Sequence, residues 1–203
     1  DGLWYPQWMP DGRRVVYYRS RERTGDSVHE FAVFDLDGGD PVAWQVPAFW
    51  HDAAFTLVPD GSEVLYTSGG IWALNLSDGA TRFVCDGGGA AASPDVQWIA
   101  FSEDDTIAIA PFGGGQAVKF EMGWWPAWTP DSEYIVFCGY GTSGDSDLII
   151  ASTDGSYRRQ LTDDPEYDLR PAVSPQGDKV AYVKTIDDDF GPFNLRLLML
   201  DLD

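Results

Sequence analysis

A turn written around proline recurs five times in this chain, and tandem recurrence restricts a fold more than any single motif can. The copies read WMPDGRRVVYY, LVPDGSEVLYT, ASPDVQWIAFS, WTPDSEYIVFC and VSPQGDKVAYV. Their prolines are Pro10, Pro59, Pro94, Pro130 and Pro175, separated by 49, 35, 36 and 45 residues. Five residues after each proline stands Val15, Val64, Ile99, Ile135 or Val180. Two residues later stands Tyr17, Tyr66, Phe101, Phe137 or Tyr182. A step of two puts both side chains on one face of a β-strand.

Each copy continues in the same way. A variable loop leads to a third apolar run: FAVFDLDGG, IWALNLSDG, IAIAPFGGG, LIIASTDG or LRLLMLDLD. Asp-Gly and Gly-Gly behind such a run are hairpin signals, because glycine accepts positive φ. Short fourth runs follow as VAWQV, TRFV, AVKF and RRQLT. No convincing amphipathic helical period interrupts them. Four short strands joined by tight turns, repeating at roughly 40 residues, predict an all-β fold of the β-propeller type. Stacking covers both sheet faces of each unit, which accounts for the near-continuous apolar runs. Trp128, two residues before Pro130, corresponds to Trp8, Leu57, Ala92 and Val173, and is expected to pack between units.

With those residues in view, the pattern Pro-x-Trp-Ser/Thr-Pro-Asp-Gly, Ile-x-Phe, an apolar strand, Asp-Gly and Arg-x-Leu-Thr resembles the TolB-type propeller repeat, a WD-like repeat. PAWTPDSEYIVF through LIIASTDGSYRRQLT, residues 126–162, is the best copy. RPAVSPQGDKVAYV and YPQWMPDGRRVVYY follow closely. The copy at 85–120 departs from the pattern: Pro94-Asp95 has no glycine behind it, and Arg-x-Leu-Thr is missing. The resemblance implies one β-propeller domain over 1–203, with five recognisable blades at about 1–46, 47–84, 85–120, 121–163 and 164–203. It also implies an extracytoplasmic setting, periplasmic or secreted. The repeat type serves periplasmic scaffolds, peptidase gating propellers and some lyases, so it speaks to fold before function.

Composition removes several classes of function. The chain has 203 residues and a formal net charge of −20, from 13 basic and 33 acidic residues. Nucleic-acid binding rests on Lys and Arg neutralising phosphates, so a nucleic-acid partner is not expected. No run of 18 uncharged apolar residues occurs, which excludes a membrane-spanning helix on length, and no membrane insertion is expected. Cys85 and Cys138 make no disulfide framework.

In blades of this kind the short Pro-Asp-Gly and Asp-Gly turns lie on one face. The connections into each first strand lie on the other, with the loops between second and third strands. Variable connections are where binding residues collect. The aromatic and charged residues just ahead of the first strands are Trp4 and Tyr5, then Trp50, His51 and Asp52, then Trp124 and Trp125, then Tyr167, Asp168 and Arg170. They are expected to rim a channel mouth and to take a protein or peptide partner. The loops 19–30, 138–147 and 184–194 are expected on the same face.

Catalysis finds little support. The first strands read PQWMP, FTLVP, AAASP, PAWTP and PAVSP, and none holds a carboxylate. Asp52 and Asp168 alone are placed to reach the mouth as a glycosidase pair. There is no Gly-x-Ser-x-Gly elbow. His29 and His51 are too few for a histidine-rich metal site. No cofactor is expected. The acidic stretches TIDDDFG, SEDDT and GDSD leave Ca²⁺ as the one metal to consider, although none has the spacing of a known Ca²⁺ loop. A non-enzymatic binding module is the expectation. The alternatives are the gating propeller of a larger prolyl-oligopeptidase-like peptidase and a carbohydrate-binding or carbohydrate-acting five-bladed protein. The last unit ends at LMLDLD, before any fourth run. Two expectations follow: an excerpt of a longer propeller, or a ring with one three-stranded blade whose open edge permits self-association.

Overall fold

The computed structural model describes residues 2–23, 26–47, 55–142, 144–186 and 194–202. Every helix or strand among them is a strand, so no described helix is long and apolar enough to cross a membrane. The strands form five antiparallel meanders in chain order, divided between two compact units, Asp1–Asp86 and Gly87–Asp203.

The first unit holds two four-stranded sheets. One is β1 (Gly2–Trp8), β2 (Arg14–Arg23), β3 (Asp26–Asp35) and β4 (Val42–Val46). The other is β5 (Thr56–Leu57), β6 (Glu63–Thr67), β7 (Ile71–Asn75) and β8 (Thr81–Cys85). Val16, Tyr18, Phe31 and Val33 of the first sheet pack against Phe55, Val64, Tyr66 and Leu74 in and beside the second. Phe31 meets Phe55 edge-on, with ring centroids 4.9 Å apart. The carboxamide of Gln7 joins the two first strands, donating to Phe55 O at 2.7 Å and accepting from Leu57 N at 3.0 Å.

The second unit begins with a seven-stranded sheet. Its strands are β9 (Gly88–Ala92), β10 (Trp98–Glu103), β11 (Thr106–Pro111), β12 (Val118–Trp128), β13 (Tyr134–Tyr140), β14 (Ser146–Ser152) and β15 (Arg158–Gln160). Two meanders share it, because β12 runs without a break from the fourth strand of one into the first strand of the next. Gly123 sits at that junction. A Cβ there would lie 2.6 Å from Cys138 O, so the strand can pass so close to β13 only without a side chain. The last meander is β16 (Asp168–Val173), β17 (Lys179–Ile186) and β18 (Asn194–Asp201). Alternate residues of β13 serve opposite neighbours. Ile135 and Phe137 pack toward Ile107 and Ile109, whereas Val136 and Cys138 pack toward Val180 and Tyr182. Both faces of this sheet are therefore covered, and all seven residues of β14 are buried.

The proline turns explain why the motif repeats. In each, the residue two after the proline donates its N–H to the residue just before it, as Gly12 does to Met9 O at 2.9 Å. The aspartate beside the proline folds onto the turn. Asp11 Oδ1 accepts from the amides of Arg13 and Arg14, both at 2.9 Å, and Asp60, Asp95 and Asp131 each accept from the amide two residues on. The residue two after the proline is left-handed in all five turns. Gly12, Gly61 and Gly177 adopt it freely, while Val96 (φ 57°) and Ser132 (φ 63°) are held there. A Cβ on Gly61 would come within 2.9 Å of Pro10, and one on Gly177 within 3.2 Å of Pro130. The first and second turns, and the fourth and fifth, thus stack glycine on proline.

Two expectations change. The segments expected as long loops at 19–30 and 138–147 are mostly strand: β2 and β3 pair from Arg14↔Asp35 out to Arg23↔Asp26, and β13 and β14 pair out to Tyr140↔Ser146. Alternating β-formers carry the ladder on where variable length suggested a loop. Trp8, equated with the buried Trp128, is 61% exposed in its own unit, because its side chain lies outside that unit's core.

Candidate functional site

One irregularity recurs at the entrance to the first strand of the meanders. Between Trp4 and Gln7, β1 takes three steps while β2 takes two, from Tyr18 to Val16. The same extra residue appears between Trp124 and Ala127, between Leu169 and Ala172, and between Gly88 and Ala91. Each is a β-bulge, and each contains a left-handed residue five positions before its proline: Tyr5 (φ 54°), Gly89 (φ 64°), Trp125 (φ 54°) and Arg170 (φ 53°). The corresponding residue of the second meander, Ala54, lies outside the described residues. Glycine suits this conformation, and three of the four copies use a bulky side chain instead. A non-glycine residue held there costs about 1–3 kcal/mol, and such bulges re-aim side chains near binding sites.

The residues expected at a rim have the following surroundings within each unit. Trp4 is half-buried and tilts against Tyr18, ring centroids 5.6 Å apart. Tyr5 is 39% exposed. Trp50, His51 and Asp52 lie outside the described residues. In the second unit, the Trp124 indole donates to Asp105 Oδ1 at 2.9 Å and meets Tyr140 edge-on at 5.5 Å. Trp125 packs against the Val136–Cys138–Leu148 core, and the Arg170 guanidinium stands over its ring, 5.1 Å from the centroid. Tyr167 is 52% exposed, with its backbone tied to Thr185. Trp125 and Arg170 therefore meet directly, while Trp124 turns to Asp105 and Tyr140.

Asp168 departs from the expected rim. It is fully buried, so it is not offered to a ligand or to chemistry at a mouth. Among the described residues, neither carboxylate oxygen accepts a hydrogen bond, and the Lys184 Nζ lies 3.4 Å from Oδ1. Lys184 also holds Asp164. Burial raises Asp168 above the usual carboxylate range despite that ammonium. Asp147, fully buried and receiving Gln160 Nε2 at 3.0 Å and Thr162 Oγ1 at 3.3 Å, is raised by burial too. Burial also opposes the charge on Asp164, but the Lys184 ammonium holds that group below the ordinary range.

Sequence reading missed this Asp147–Asp168–Lys184 group. Its one signal was the GDSDLII run, in which Asp147 directly precedes the apolar stretch of its strand. Among the described residues, no three His, Cys, Asp or Glu side chains are disposed to hold a metal, and most of the TIDDDFG stretch lies outside them. His29 pairs with the Tyr18 hydroxyl.

No protein-family model matches the chain, and no curated protein matches its sequence. Solved structures do. A TolB protein from Acinetobacter baumannii superposes with a TM-score of 0.75 at 18% identity, over 99% of this chain and 52% of the other. A TolB candidate from Agrobacterium tumefaciens gives 0.72 at 22% identity, over 100% of this chain and 78% of that one. An oligogalacturonate lyase in complex with manganese gives 0.65 at 14% identity, over 96% and 61%. This chain thus spans about half the length of the first of these structures. What it shares with them is architecture: the chain has a TolB-like propeller fold.

Proposed function

We propose that the chain is a non-enzymatic, TolB-like propeller module that binds a protein or peptide segment at the entrances of its first strands. On this reading each of the five meanders is a blade of one domain, 1–203, and the setting is extracytoplasmic. The supporting observation is the repeated bulge. A fold that needed only a bend would put glycine in the left-handed position, as it does at Gly89. Tyr5, Trp125 and Arg170 instead hold large side chains there against backbone strain. Aromatic and arginine side chains presented in that way are the residue types that dominate binding energy at protein interfaces.

A peptide-display selection on the intact chain tests this. The reading expects enriched peptides whose binding falls by at least about tenfold in Tyr5→Ala or Trp125→Ala, since a central aromatic anchor contributes on the order of 2 kcal/mol. Enriched peptides that bind both variants as they bind the parent would place the binding surface elsewhere. The lyase likeness supplies no equally supported second reading, because the chain has only two histidines and His29 is paired with Tyr18.

A further inference from the structure

We infer that Arg170, seated over Trp125, is a receptor for a carboxylate on the bound peptide; this rests on the reading above and adds the chemistry of the ligand. Three observations converge on Arg170. Its backbone is left-handed within a bulge. Regular alternation along β16 would put Asp168 and Arg170 on one face, two residues apart, where they would neutralise each other. The extra residue of the bulge breaks that alternation: Asp168 is sealed in the interior beside Lys184, Arg170 is exposed, and no ion pair joins them among the described residues.

Charge pairing elsewhere singles out the same residue. In a chain of net charge −20, nine of the 13 basic residues lie in ion pairs with acidic side chains among the described residues. Arg170 is in none of them, although acidic residues outnumber basic ones by more than two to one. Two acids close by in sequence are committed elsewhere, since Asp164 and Asp168 both face Lys184.

The third observation is the platform. Trp125 is anchored in the core formed by Val136, Cys138 and Leu148. Arg170 leaves β16 from a left-handed position within the bulge. Ring and backbone together fix where the guanidinium stands. A guanidinium over an indole keeps its N–H donors for a planar acceptor, and a carboxylate matches that fork with two parallel hydrogen bonds. The indole beside it offers an apolar surface to the side chain next to that carboxylate.

Three small probes of the intact protein test the inference. N-acetyl-phenylalanine carries a terminal carboxylate. N-acetyl-aspartyl-phenylalaninamide carries a side-chain carboxylate. N-acetyl-phenylalaninamide carries none. Binding is followed by NMR at the Arg170 Nε and Trp125 indole N–H resonances. At least one carboxylate probe is expected to shift both resonances saturably and to bind about tenfold more tightly than the neutral amide, as a charge-assisted pair should. Whichever carboxylate wins names the source. Arg170→Gln is expected to abolish the preference and leave the fold intact, judged by the remaining amide resonances. Equal affinity for all three probes, a preference that survives Arg170→Gln, or no saturable shift with either carboxylate would overturn the inference. Display-selected peptides that still need Tyr5 or Trp125 in that event would leave the wider binding reading standing.

Discussion

Val96 shows how a single residue can resist the structure it occupies. It holds φ 57° in the one proline turn whose motif lost its glycine to a β-branched residue. Val96→Gly should raise the unfolding free energy by roughly 1 kcal/mol, read from the urea midpoint at constant m-value. Asp168 resists in a different way, through charge. Its folded pKa lies above the unfolded one because burial disfavours the carboxylate. Protonation therefore favours the folded state: that contribution is complete below the unfolded carboxylate pKa and is lost as pH rises through the raised value. Compared with Asp168→Asn, the parent should gain stability as the pH falls from neutral to mildly acidic. Paired urea titrations at the two pH values read this directly, and a constant difference would refute it. Asp11 and Asp154 act in the opposite sense and at lower pH. Backbone and side-chain hydrogen bonds hold both at about 2, so their contribution is lost only as the pH falls toward that value.

Among the strands, β18 stands apart because no strand covers its outer edge among the described residues, whereas β3, β7, β11 and β14 each carry a fourth strand. Leu195, Leu197 and Met199 line one of its faces and are 61%, 77% and 67% exposed. The strand framework was legible in the sequence because the +5 and +7 apolar positions and the Pro-Asp turn repeat with little noise. Ile135 and Phe137, named from that spacing, are both fully buried. The bulges were not legible. Only Gly89 advertises a left-handed residue, and nothing in the letters Tyr5, Trp125 or Arg170 does so. The merger of two meanders through β12 was hidden as well, because Gly123 reads as a turn residue yet serves close packing. Trp125 and Arg170, both named from the sequence, touch each other. Asp168 was misplaced because it opens β16 instead of preceding it, and its side chain is buried there.

For the molecule as a whole, the acidic balance and the recurring bulge have separate consequences. A net charge of −20 repels itself in the compact state, so added salt at modest concentration should raise the melting temperature by screening, in contrast to a protein held by exposed ion pairs. The bulge concerns function. If large side chains occupy left-handed positions for the sake of a ligand, replacing them with glycine should separate stability from binding. The measurement is made separately on Tyr5→Gly and on Arg170→Gly, both exposed side chains, by recording urea unfolding and the affinity for display-selected peptides on the same samples. The account predicts unfolding free energies equal to the parent's or higher by about 1 kcal/mol, together with at least about a tenfold loss of affinity. Variants that lose stability while binding the peptide as tightly as before would contradict it.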